Sequence, residues 1–243
     1  MNIKLTLEYD GTRYHGWQIQ PNGETIQAVL ERALAIFLGT QTKITASGRT
    51  DAGVHALGQV GNFHSAKALE PHRIRRALNA LTPEDITIKE VEIVTDSFDA
   101  RRDPSSRRYE YRILNRPTDS PFHLNRAWHI HEELDIEAMQ RAIGCLIGAH
   151  DFTSFQAAGC DAAHAVRKVF RTELVPRDEL WIYSIEATAF LRHMVRNIVG
   201  TLVEVGRGLR TPQQFATLLE ARDRTQAGPT APPHGLYLVE VKY

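Results

Sequence analysis

Three observations on this 243-residue sequence predict an α+β fold made of two similar halves. Segments of strict apolar–polar alternation, the period of a strand, are interleaved with segments whose apolar residues recur every three to four positions, the period of a helix. The order strand, helix, strand, strand, helix, strand occurs twice. A Pro- and Ser-containing stretch, Asp103-Pro104-Ser105-Ser106, separates the two occurrences, which places the halves at 1–103 and 104–243.

The first half begins with a strand from Asn2 to Tyr9. Ile3, Leu5, Leu7 and Tyr9 share one face, and Lys4, Thr6 and Glu8 the other. Asp10-Gly11 ends it. Thr25 can cap a helix whose stripe is Ile26, Val29, Leu30, Ala33, Leu34 and Phe37, with Gly39 just past its end. A strand is predicted near 42–47 and another near 58–64. Pro71 opens a short helix through Leu81, Pro83 stops it, and Ile86 to Val94 reads as a further strand. This is the split βαβ order of ferredoxin-like domains.

In the second half Arg107 to Leu114 alternates Tyr109, Tyr111 and Ile113 against Arg108, Glu110 and Arg112. Asp135 caps a helix expected to run through Leu146 and Ile147 to Gly148. Strands follow near 166–175 and 180–188. An apolar helix is expected from about 190 to 206, a further one from Thr211-Pro212 to about Arg222, and a closing strand from Gly235 to Tyr243. Gln226 to His234, rich in Gly and Pro, reads as a surface loop. Two such halves could join their sheets edge to edge, with an antiparallel-rich sheet and a central cleft.

Composition narrows the class. With 42% hydrophobic and 24% charged residues, the chain is that of an ordinary globular protein. No apolar run approaches the roughly 20 residues that span a bilayer. The start alternates like a strand and lacks the apolar core of a secretion signal. Cys145 and Cys160 do not suggest a disulfide framework. The expected location is therefore the cytoplasm, without membrane attachment. The formal net charge of +0 counts against a generic nucleic-acid binder. The distribution is uneven, however: seven arginines lie between Arg101 and Arg126 against Asp103, Glu110 and Asp119, and Arg73, Arg75 and Arg76 form a second group. Either run can equally be a solvated face. The eleven histidines lack metal-ligand spacing: there is no Cys-X-X-Cys or His-Glu-X-X-His.

The most specific segment is Gly48-Arg49-Thr50-Asp51-Ala52-Gly53-Val54-His55-Ala56. Two glycines bracket an aspartate at the end of a strand, and glycine permits tight or left-handed backbone. As a bare pattern this is an ordinary turn. The nine residues together resemble the active-site motif of the TruA family of tRNA pseudouridine synthases, in which the Asp is the catalytic nucleophile. The resemblance extends along the chain. It includes Tyr9-Asp10-Gly11 with Tyr14-His15-Gly16-Trp17-Gln18, Phe98-Asp99-Ala100-Arg101, Arg108-Tyr109-Glu110-Tyr111, Asp151-Phe152-Thr153-Ser154-Phe155, Phe190 to Gly200, and Gly235-Leu236-Tyr237-Leu238. It implies the pseudouridine synthase fold of two ferredoxin-like halves. It implies isomerisation of uridine to pseudouridine at positions 38, 39 and 40 of the tRNA anticodon stem-loop. It also implies a homodimer that needs no cofactor and no metal.

Isomerisation breaks a C1′–N1 bond and makes a C1′–C5 bond, with no net redox change. It needs a carboxylate nucleophile, a proton acceptor for C5, and a base taken out of the stack. Asp51 is the candidate nucleophile; attack at C6, attack at C1′ and elimination to a glycal are all open to it. Desolvation under a flipped base would raise its pKa, and a nearby cation would oppose that. Arg196 is the candidate cation. It stands with Arg192 one turn away on the flank of an apolar stripe, where an unpaired charge would be costly; a structural ion pair with another acid is the alternative. Arg49 could bind phosphate or help hold the base out, or be a turn-surface arginine. Tyr109 matches the family's substrate-binding Tyr and is the candidate to stack on uracil, against a plain core role; Tyr111 on the same face is expected in the core. His55 and His193 are structural or RNA-contacting candidates. A non-catalytic RNA-binding protein would have no use for Asp51, and phosphoryl transfer would require a second acid near it for Mg²⁺.

Overall fold

The computed structural model describes residues 1–160 and 162–243. Ten strands and five α-helices are found among them, in two compact units: Met1–Ser105 with Tyr237–Tyr243, and Ser106–Leu236.

In the first unit β1 (Asn2–Tyr9) pairs antiparallel with β3 (His55–His64) on one side and β4 (Ile86–Val94) on the other. β2 (Thr45–Ala46) pairs antiparallel with β3 through Thr45↔Asn62 and Ala46↔Gly61. The resulting 4-1-3-2 order is that of a ferredoxin-like domain. β10 (Leu236–Lys242) runs parallel to the start of β3, at Tyr237↔His55 and Leu238↔Ala56, so the closing strand groups with the first unit. β2 is shorter than the strand expected over 42–47, and β3 starts earlier than 58, directly after the Asp51 turn.

The alternation read in Asn2–Tyr9 is realised: Ile3, Leu5 and Leu7 are fully buried. α1 (Ile26–Leu38) starts where the Thr25 hydroxyl accepts from the Ala28 amide (3.3 Å) and stops at left-handed Gly39. Leu38 completes its buried face, and Phe37 is only half-buried. α2 (Pro71–Leu81) buries Ile74 and Leu78. Its Asn79 both donates to the Ile88 carbonyl (3.0 Å) and accepts from the Ile88 amide (2.7 Å), which ties the helix to β4.

In the second unit β5 (Ser106–Asn115), β9 (Leu180–Ala187), β8 (Val166–Arg177) and β7 (Gly148–Asp151) pair antiparallel in that order, and β6 (Trp128–Ile130) lies parallel to the end of β5. Periodicity does not reveal β7. α3 (Ile136–Ile143) ends earlier than expected, because the chain tightens into a 3-10 turn over Gly144–Leu146, glycine being a poor continuation of an α-helix. α4 (Met194–Gly206) begins later than 190, because His193 is left-handed at φ 61°. α5 (Pro212–Ala221) opens with a reciprocal capping box between Thr211 and Gln214. Phe152, Phe155 and Phe215 form an aromatic core. The 226–234 segment is not a plain surface loop. Gly228 and Ala231 are buried, and a Cβ on Gly200 of α4 would come within 1.7 Å of the Pro229 carbonyl oxygen, so the segment lies against bare helix backbone.

Candidate active site

Asp51 sits at the first position of a tight turn whose closing bond runs from the Val54 amide to its own carbonyl (3.1 Å). Gly53, the third residue of that turn, is left-handed at φ 76°. Gly48, the other bracketing glycine, has ordinary φ, and a Cβ added to it would have nothing within 4 Å, so only one of the pair is demanded by the backbone.

The close packing comes from the Tyr9–Trp17 segment. The Trp17 amide donates to the Thr50 carbonyl (3.0 Å), and the Gly53 amide donates to the Tyr14 carbonyl (3.3 Å). These bonds bring two pieces of backbone together with no room for a side chain. A Cβ on Gly11 would lie 2.0 Å from the Val54 carbonyl oxygen, and one on Gly16 would lie 2.5 Å from that of Thr50. Gly16 also has φ 83°, which L side chains rarely adopt.

Beneath the turn lies a buried polar network. The Tyr9 and Thr50 hydroxyls share a hydrogen bond of 2.7 Å, and burial pushes the Tyr9 phenol up to about 12. The Gln59 side-chain amide donates to the Gly48 carbonyl (3.0 Å), and its oxygen accepts from the Ser47 hydroxyl (2.7 Å). Ser47, Thr50 and Gln59 are all buried. The residues on both sides of Arg49 are thus fixed from below, and Arg49 is exposed. After the turn, buried His55 stacks on Tyr237 of β10 (centroids 4.6 Å), and its Nδ1 accepts from the Gly11 amide (3.1 Å).

Tyr109, Arg192 and Arg196 belong to the second unit. Tyr109 lies on β5 opposite Ile185, 9% exposed, and meets Phe190 edge-to-face at 4.9 Å. Tyr111 is fully buried, as expected; its hydroxyl donates to the Pro232 carbonyl (2.8 Å), and burial drives its phenol far above the usual range. Arg196 is half-buried in the first turn of α4. Its Nε donates to the Ala231 carbonyl (2.8 Å), while the Ala231 amide donates to the Arg196 carbonyl (3.1 Å). The guanidinium is therefore anchored at both backbone and side chain. Arg192 is exposed and stands before the helix, so it is not a helical neighbour of Arg196; its carbonyl accepts from the Ala157 amide (3.0 Å).

Sequence reasoning does not single out Tyr9, Ser47, Thr50 and Gln59 as a support for the Asp51 turn. The available signal is a glutamine, Gln59, in the middle of a strand whose neighbouring residues are mostly apolar. Among the described residues no group of three or more His, Cys, Asp or Glu could hold a metal ion, and no helix is long and apolar enough to cross a membrane.

Comparison with known proteins identifies the family. A family model described as tRNA pseudouridine synthase matches residues 6–102 and 142–243. The chain is 48% identical over 243 residues to tRNA pseudouridine synthase A of Myxococcus xanthus, covering 99% of this chain and 91% of that protein. It is 46% identical over 241 residues to tRNA pseudouridine synthase A of Geotalea uraniireducens (strain Rf4), covering 99% of each. It is 42% identical over 242 residues to that of Thermoanaerobacter sp. (strain X514), covering 100% of this chain and 99% of that protein.

Proposed function

The chain belongs to the tRNA pseudouridine synthase family, a family of isomerases, and on that premise we propose that it converts uridine to pseudouridine at positions 38, 39 and 40 of the tRNA anticodon stem-loop with Asp51 as the nucleophile. The observation that carries the residue assignment is the way the Asp51 turn is built. Backbone bonds from Tyr14 and Trp17, two glycine close approaches and the Tyr9–Thr50–Gln59 network all converge on the residues flanking one half-exposed carboxylate. Such a scaffold fixes a reacting group in place before substrate arrives, which lowers the entropic cost of attack.

In this reading the target base leaves the stack before reaction, Tyr109 stacks on the uracil, Arg196 supplies positive charge for the carboxylate, and Arg49 and Arg192 meet phosphate. No cofactor is required, because the bond broken and the bond formed involve the same base and sugar. The active species is a homodimer in the cytoplasm. Two copies of a chain with no net charge together offer twice the local basic surface to one tRNA.

Tritium release from tRNA labelled at uracil C5 tests the assignment. Wild type should release tritium from the anticodon stem-loop, and Asp51→Asn should not. Wild-type turnover in the Asn variant would remove Asp51 from the chemistry. Sedimentation at working concentration tests the dimer, and an active monomer would refute it.

A further inference from the structure

Several exposed arginines are spoken for by carboxylates. Arg13 pairs with Asp85, Arg32 with Glu24, Arg171 with Glu173 and Arg102 with Asp99. Helix α2 is different. Arg73, Arg75 and Arg76 are all exposed, and among the described residues none is within ion-pair distance of an acid. The hydrogen bond found for these side chains runs from Arg75 to the Lys89 carbonyl, at 3.4 Å. From Pro71 to Leu81 the helix contains no Asp or Glu. At 100° per residue, Arg75, Asn79, His72, Arg76, Ala80 and Arg73 follow one another around its exposed arc, opposite buried Ile74 and Leu78.

Like charges three residues apart on a helix repel one another. In a chain with equal numbers of acidic and basic residues, a basic face without neutralising acids is a place where a polyanion would replace counterions. Arginine also suits phosphate geometrically, since its planar fork donates two parallel hydrogen bonds. Arg75 reaches the carbonyl of Lys89, which lies on β4 level with Thr6 and Leu7 of β1 and hence with Gln59 and Val60 of β3, about four strand residues or roughly 15 Å from where β3 leaves the Asp51 turn. Phosphates on α2 would therefore belong to a part of the RNA other than the target nucleotide.

We propose that the exposed face of α2 is a second contact surface for the tRNA backbone, one that contributes binding without taking part in the reaction. This rests on tRNA being the substrate. The guanidiniums act as sequence-independent phosphate contacts, so α2 sets affinity and salt dependence, and the Asp51 site sets the rate.

The test uses the full chain and unmodified full-length tRNA. Wild type, R73Q/R76Q and R73K/R76K are compared by dissociation constant over a range of salt and by tritium release at saturating tRNA. Each lost phosphate contact should reduce the slope of log affinity against log salt by about 0.7 to 0.9. The Gln pair should thus lower the slope by roughly 1.4 to 1.8 and raise KM several-fold, with kcat within about twofold of wild type; the Lys pair should restore the slope, since it keeps the charge. An unchanged slope in the Gln pair overturns the proposal and leaves α2 a solvated face or a surface for an acidic protein. A fall in kcat without a change in slope also overturns it, because that is the signature of a structural defect. Failure of the underlying reading would look different: wild type itself would release no tritium from tRNA.

Discussion

The Asp51 turn and the first turn of α4 present their charged side chains by opposite means. At Asp51 the turn is held through its neighbours, by backbone and side-chain groups on either side of the carboxylate. The Thr50 and Tyr14 carbonyls, the Thr50 hydroxyl and the Gly48 carbonyl are each held by residues distant in sequence, while the carboxylate sits at the turn. At Arg196 the functional group is itself a strut, since its Nε holds the Ala231 carbonyl of the segment that crosses Gly200. The difference teaches that the two residues should fail differently. Removing the carboxylate should cost mainly chemistry, and removing the guanidinium should cost chemistry and the bond that holds the Ala231 carbonyl.

The largest expected effect sharpens the first half of that contrast. Asp51→Asn should lower turnover by about four orders of magnitude or more, with melting temperature and tRNA affinity close to wild type, since affinity comes mainly from phosphate contacts. Thermal melts and filter binding beside the tritium assay would check this; a destabilised Asn variant would show that the carboxylate is structural too.

Gly16→Ala attacks the scaffold without touching a reacting group. The new methyl would meet the Thr50 carbonyl in a backbone conformation that already disfavours it, at a cost of about 2 to 4 kcal/mol. Turnover should drop well before the fold is lost, because the displaced segment carries Asp51. Denaturant titration and kcat measured on the same preparation would test it; wild-type kcat in a destabilised protein would mean that the turn does not depend on this approach.

Arg196→Ala should lower turnover roughly a hundredfold and also destabilise by about 1 to 2 kcal/mol, the scale of a hydrogen bond donated by a charged group. Arg196→Lys should recover only part of each, because an ammonium does not reproduce the fork. A large loss of turnover with no change in stability would break the contrast on this side.

Tyr109 gives the smallest graded effect. Tyr109→Phe keeps the ring against Phe190 and should hold substantial activity. Tyr109→Leu removes a stacking face, worth about 1 to 3 kcal/mol per base, and should lower kcat/KM tenfold or more. Equal large losses in both would assign the hydroxyl a chemical role, such as taking the C5 proton. Exhaustive dialysis against EDTA should change nothing, with Mg²⁺ restored only to fold the tRNA; inactivation reversed by Zn²⁺ would refute the metal-free chemistry.

Much of the fold is legible in the sequence because it is written in local periodicity. Ile3, Leu5 and Leu7 alternate into the core, α2 and β4 have the bounds their patterns suggest, and Thr25 and Thr211 cap the helices they precede. The misses fall where neighbours override pattern. Phe190 to Met194 continues an apolar stripe, yet His193 turns left-handed and delays α4. Gly148–Asp151 has no alternation to display and becomes a strand only because β8 offers an edge. The 226–234 segment has loop composition and is nevertheless half-buried, because Gly200 leaves room for it.

The sequence by itself determined the family, and with it the class of enzyme. Asp51 between its glycines, Tyr109 and Arg196 stand in linear motifs that resemble those of one family, and the family model over residues 6–102 and 142–243 places the chain in it. Only the tertiary structure decided what holds them. That Gly11 and Gly16 support a turn some 35 to 40 residues later, that Gln59 braces Gly48, that Arg192 lies off the helix of Arg196, and that the three arginines of α2 meet no acid among the described residues were not readable from spacing. The physical reason is range. Periodicity and capping act over a few residues, whereas steric fit, buried hydrogen bonds and charge pairing depend on groups that meet only once the chain has folded.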